Sequence, residues 1–181
     1  MNARCGARIG AGRRLASWGW DYLIILAWLI GVFVMVGVPS LLGWLDLERV
    51  WAQPITADMA AAMLTVVPFL VYLVITESGA HHATWGKRRS GLAVARHGTA
   101  GPVGILQVIA RNVIKVGPWQ FGHLASMRFA IQSGSQDLAV VAFWASMLLL
   151  VLVAGPAIAG RRGLHDLVAG TRVVPTAARP Q

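Results

Sequence analysis

Acidic residues are scarce in this chain: seven Asp and Glu stand against sixteen Lys and Arg, for a net charge of +9. Cysteine is scarcer still, because Cys5 stands alone and can form neither an internal disulfide nor a thiolate metal cluster. Charged residues make up only 13% of the chain against 56% hydrophobic, and the mean hydropathy is +0.62. That is too little charge for an ordinary water-soluble domain, so the 181 residues read as one small integral membrane domain whose apolar surface is covered by acyl chains. The basic balance raises nucleic acid as a partner, but the arginines gather beside apolar runs and not along an aromatic-studded polar face. Anionic membrane lipid is therefore the expected partner, and nucleic acid is not.

Long apolar runs are what the chain has in place of charge. The first span extends from about Leu15 to Leu42 and the second from about Ala57 to Ile75, with Pro68 expected to disturb the second locally. The third runs from Leu138 to Ala159. Arg4, Arg8, Arg13 and Arg14 precede the first run, which is too long for a secretory signal and closes on no A-x-A-like site, so an uncleaved first span is expected. Asp46, Glu48 and Asp58 with only Arg49 occupy the first connection, whereas Lys87, Arg88, Arg89 and Arg96 follow the second span and Arg161 and Arg162 the third. The positive-inside rule then places both termini in the cytoplasm of a multi-pass cell-membrane protein. Both placements hold only if the segment 103–131 also crosses. It is expected to form an amphipathic cytoplasmic helix up to Val116, then a kinked crossing from about Pro118, after the break at Gly117 and Pro118. The fold class is thus all-α, a four-span helical bundle with a three-span alternative. A small two-stranded β-element is expected from Gly170–Val174, which is β-branched enough for a strand, and from Gly91–Ala95, of similar character and followed by a His97-Gly98 turn.

Motifs for chemistry are few. Gly86-Lys87 lacks the upstream glycine spacing of a phosphate-binding loop, and Arg88 stands where Ser or Thr would follow, so this stretch reads as a basic loop touching lipid phosphates. His81, His82, His123 and His165 show no metal-ligand spacing, and no Ser-His-Asp or Cys-His order stands out. No metal, no cofactor and no enzymatic activity are expected.

Asp21 is the one formally charged side chain between Leu15 and Leu42. A carboxylate at that depth costs roughly 2.5 to 3.5 kcal/mol on insertion scales, so it needs a proton, a cation or a partner. Arg14, seven residues earlier, lies on the same helical side about 10.5 Å away along the axis and is expected to snorkel to headgroups. Two readings of Asp21 stand side by side: an exchangeable proton or cation ligand, or a permanent pair with Arg14, Arg111 or a polar helix end. Glu77 is expected at the headgroup level, and Asp166 as a local clamp that accepts bonds from amides or an arginine.

Four blocks carry a family resemblance: RRLASWGWD (Arg13 to Asp21), ATWGKRRSGLAV (Ala83 to Val94), IARNVIK (Ile109 to Lys115) and GRRGLHDLVAGTRVV (Gly160 to Val174). In that order they resemble the RDD family of membrane proteins, named for one arginine and two aspartates. The resemblance implies Arg14, Asp21 and Asp166 as the motif residues, with Thr84, Gly86, Lys87 and Arg111 beside Glu77 as supporting positions. The chain departs from the common pattern at Trp85 and in the length between Arg111 and Asp166. Transport-related roles, with cation/proton antiport proposed for some members, are what the family implies. The expected organisation is a basic leader over 1–14, an RDD-like transmembrane domain over 15–174 and a tail over 175–181. The alternative to transport is a membrane scaffold or assembly factor that binds anionic lipid or a protein partner, with homo-oligomers permitted by small residues such as Ala27, Gly31 and Gly37.

Overall fold

The computed structural model describes residues 9–99, 101–131 and 136–176. Cys5, Arg4 and Arg8 of the leader and residues 177–181 of the tail lie outside the described residues. Three helices are long and apolar enough to cross a membrane among those described: α1 (Ala11–Leu41), α3 (Pro54–Ser78) and α6 (Gln136–Ile158). Between α1 and α3 lies the short α2 (Glu48–Ala52), and after α3 come α4 (Trp85–Arg89) and strand β1 (Leu92–Arg96). The chain then forms α5 (Ile105–Ile131), α6, α7 (Leu164–Val168) and strand β2 (Thr171–Pro175).

Proline and glycine set the limits of these elements. Pro54 occupies the first turn of α3, where its missing N–H has no helical partner to lose. Gly43, with φ of +74°, closes α1 in a left-handed turn. The disturbance expected at Pro68 takes the form of a π turn over Ala62–Val66 immediately before it. Pro68 has no N–H for the Leu64 carbonyl, and the Trp28 indole donates to that oxygen at 2.7 Å.

The chain divides into two compact units. The first takes its described residues from Met1–Leu23, Leu70–Lys115 and Leu150–Gln181, and the second comprises Ile24–Phe69 and Val116–Leu149. In the second unit α3 and α5 run antiparallel: Phe69 packs on Trp119 with centroids 5.6 Å apart, Thr65 meets His123 at 3.2 Å, and Asp58 pairs with Arg128. Buried alanines at Ala57, Ala61, Ala125, Ala139 and Ala142 permit close helix contact there.

In the first unit β1 and β2 pair antiparallel, from Leu92 opposite Pro175 to Arg96 opposite Thr171. The two-stranded element expected from the sequence is thus present. Its inner face carries Val94 into an apolar cluster with Val103 and Val108, against which Val74 packs.

One expectation for the segment 103–131 is corrected. Gly117 and Pro118 do not break it, because α5 continues through both as one helix. The Pro118 carbonyl, buried with its residue, accepts a bond from Ser146 Oγ at 2.7 Å. The amphipathic pattern up to Val116 resolves with its polar side inward: Arg111 and Asn112 are buried, while Ile105, Leu106, Ile109 and Val113 are exposed. The reason is that Arg111 finds carboxylates inside the unit, leaving the apolar side of the helix for the surroundings.

Candidate functional site

One face of α1 is buried at Arg14, Ser17 and Asp21, the three- and four-residue spacing of a single helical stripe. Against this stripe lies α4. Asp21 grips its beginning: Oδ2 accepts from Thr84 Oγ1 at 2.7 Å, and Oδ1 accepts from the Gly86 amide at 2.9 Å and from the Tyr72 hydroxyl at 3.2 Å. The Tyr72 oxygen in turn accepts from the Trp85 amide at 3.0 Å. Arg13 grips the other end, donating to the Ser90 carbonyl at 2.8 Å and to the Gly91 carbonyl at 3.0 Å. A carboxylate on the N-terminal amides and a guanidinium on the C-terminal carbonyls complement the polarity of the short helix. Contact is close enough that glycine is required at 86, since a Cβ there would lie 2.2 Å from the Ser17 carbonyl oxygen.

From α4 the polar contacts continue inward. Thr84 caps the helix by accepting from the Lys87 amide at 3.3 Å, and Lys87 Nζ donates to Glu77 Oε1 at 2.7 Å. Glu77, fully buried, accepts at Oε2 from Arg111 Nε at 3.1 Å and from Asn112 Nδ2 at 3.0 Å. Arg111 Nη1 then bonds Asp166 Oδ1 and donates to Thr171 Oγ1 at 3.1 Å, while that hydroxyl donates to Asp166 at 2.8 Å. Arg162 ties α7 to β2, donating to the Asp166 carbonyl at 2.7 Å and the Thr171 carbonyl at 2.9 Å. A connected path of buried polar groups therefore runs from Asp21 through Thr84, Lys87, Glu77 and Arg111 to Asp166.

Charge compensation shapes the far end of this path. Burial alone would raise the Asp166 carboxyl, but the Arg111 guanidinium beside it, with His165 and the Thr171 bond, holds it below the usual carboxylate range. Burial and the Arg111 charge push His165 down to about 3, so its imidazole is neutral. Its Nε2 lies 3.4 Å from Asp166 Oδ2, which fits a neutral N–H donating to the carboxylate, and Nδ1 has no partner among the described residues.

Asp21, Thr84, Gly86, Lys87, Glu77, Arg111 and Asp166 are thus brought into one network. Arg14 is placed differently from the snorkelling expectation. It is 8% exposed and donates to the Arg161 carbonyl at 3.2 Å, and it forms no ion pair with Asp21. Glu77 is buried and not solvated, and two cations within the unit compensate it. Lys87 is likewise withdrawn from lipid phosphates by its bond to Glu77. Asp166 is the clamp that its setting suggested. Sequence reasoning assigned no site role to Arg13, Tyr72, Asn112, Thr171 or Arg162, although all but Tyr72 lie within the four family blocks.

Three membrane-length apolar helices in the chain that carries this network define a multi-pass membrane protein. Residues 8–170 match the model of the RDD family, and the chain belongs to that family. No curated protein and no solved structure matches it.

Proposed function

We propose that this RDD protein is transport-related and non-enzymatic, exchanging a proton or an alkali cation at Asp21 in the cell membrane. The supporting observation is a contrast among the buried carboxylates. Glu77 and Asp166 each contact Arg111, so protonating either would strand a buried cation. Asp21, 5% exposed, is bonded only by neutral donors: two hydroxyls and one amide. It can be neutralised without stranding a charged partner, because a protonated carboxyl can donate to the Thr84 or Tyr72 oxygen once that hydroxyl turns its own proton away. The same carboxylate and hydroxyl oxygens are the hard donors that a small cation takes when it replaces the proton.

Cation-driven proton flux in proteoliposomes tests this reading. The intact protein is expected to move protons under a Na⁺, K⁺ or Li⁺ gradient, and Asp21→Asn at matched insertion is expected to abolish the movement. Absence of flux from the intact protein under all three gradients would sink the proposal.

A second reading is favoured by the doubly paired Glu77 and by Asp166. A network so fully compensated suits a membrane scaffold or assembly factor that binds anionic lipid, a second copy of itself or a membrane partner. For the topology we propose four crossings with both termini cytoplasmic. Supporting it are the outward apolar side of α5 and the polar contacts of that helix with α3.

A further inference from the structure

We infer that Arg89, held against Trp20 and Trp85, is a binding site for the phosphodiester headgroup of an anionic phospholipid. The guanidinium carbon lies 5.5 Å from the Trp20 ring centroid and 5.2 Å from that of Trp85. The two indoles meet edge to face at 5.4 Å. Such packing fixes the plane of the guanidinium while leaving its edge N–H groups free, and among the described residues no carboxylate or carbonyl takes them. The neighbouring basic groups are otherwise engaged: Lys87 bonds Glu77, and Arg13 bonds the carbonyls of Ser90 and Gly91. Arg88 is exposed beside Arg89 and adds a second positive charge at the same end of α4. A planar donor edge without an acceptor fits two phosphate oxygens.

The setting selects lipid over free phosphate. Trp20 is 39% exposed on the first span, and Leu23, one turn further along the same face, is 52% exposed. An acyl chain beneath the headgroup would cover these apolar surfaces, whereas an inorganic ion would leave them bare. Tryptophan and arginine at the start of a span are also the residue types that sit at headgroup depth. The inference does not depend on ion exchange at Asp21, and its readout requires no flux.

Native mass spectrometry of the full chain, loaded with equal phosphatidylglycerol and phosphatidylcholine, tests the site. The intact protein is expected to retain phosphatidylglycerol preferentially. Arg89→Gln, at an exposed position that leaves the buried network intact, is expected to lower that preference on the order of five-fold. Arg89→Lys, which keeps the charge and loses the planar fork, is expected not to restore it. Arg96→Gln removes another exposed arginine and serves as the control. An unchanged preference in Arg89→Gln, an equal fall in Arg96→Gln, full rescue by lysine, or displacement of the lipid by millimolar inorganic phosphate would each overturn the assignment.

Discussion

Gly86 leaves no room for a methyl group between α4 and α1. A Cβ there would also come within 2.8 Å of the Asp21 carboxyl carbon, so Gly86→Ala must push the short helix away from the bonds that hold it. The expected cost is about 1–3 kcal/mol, read as a lower melting temperature in detergent. Arg111→Met should cost more, about 3–5 kcal/mol, because it leaves both Glu77 and Asp166 with an uncompensated share of charge. Acidification should destabilise the protein through the same end of the network. The folded state holds His165 neutral, well below its usual 6.5, so the unfolded chain binds the extra proton between about 3 and 6.5. Stability from this group is complete above the unfolded value and declines as pH falls through that window. Asp166, also depressed, adds its loss at lower pH. Melting temperatures between pH 7.5 and 5 should therefore fall in the intact protein, and His165→Asn should flatten the slope. Asp21 was legible in the sequence because it is the lone charge in an apolar run. The partners of Glu77 were not, since Arg111 and Asn112 lie 34 and 35 residues away and nothing local encodes the pairing.

At the level of elements, α5 is where sequence periodicity was sound and left the orientation open. The alternation of apolar and basic positions is real, but amphipathicity alone does not say which face meets the protein. In water the apolar face turns inward; beside lipid, with carboxylates available inside, the basic face does. The β-element was legible from its composition and flanking turns, whereas α4, five residues long, was read as a loop because its stability comes from Asp21, Arg13 and its Thr84 cap. The antiparallel course of α3 and α5 in the second unit can be tested through Asp58 and Arg128. Asp58→Arg and Arg128→Asp are each expected to lower thermal stability by bringing like charges together. The exchanged pair Asp58→Arg/Arg128→Asp should recover part of the loss; no recovery in the double variant would count against this register.

For the molecule as a whole, the number of crossings is the property that decides which groups face which compartment. His97 and Gln136 flank α5 and are both exposed. Single cysteines at these positions, in a chain with Cys5→Ser, should label from opposite sides of the membrane with an impermeant thiol reagent if α5 crosses. Labelling from the same side would instead support three crossings. Among the described residues hydropathy alone identifies only α1, α3 and α6, because the charges carried by α5 depress its score even where they are turned inward.

The order in which Arg111 acquires its partners has a consequence for biosynthesis. Glu77 precedes it in the chain, but Asp166 and Thr171 follow it by 55 and 60 residues. During translation the guanidinium is therefore half-compensated until α7 and the start of β2 have emerged. A chain halted between α6 and α7 carries all three of the long apolar helices described and lacks two partners of Arg111. Truncation after Ile158 is therefore expected to give a less stable chain than the full one, read as faster proteolysis in isolated membranes.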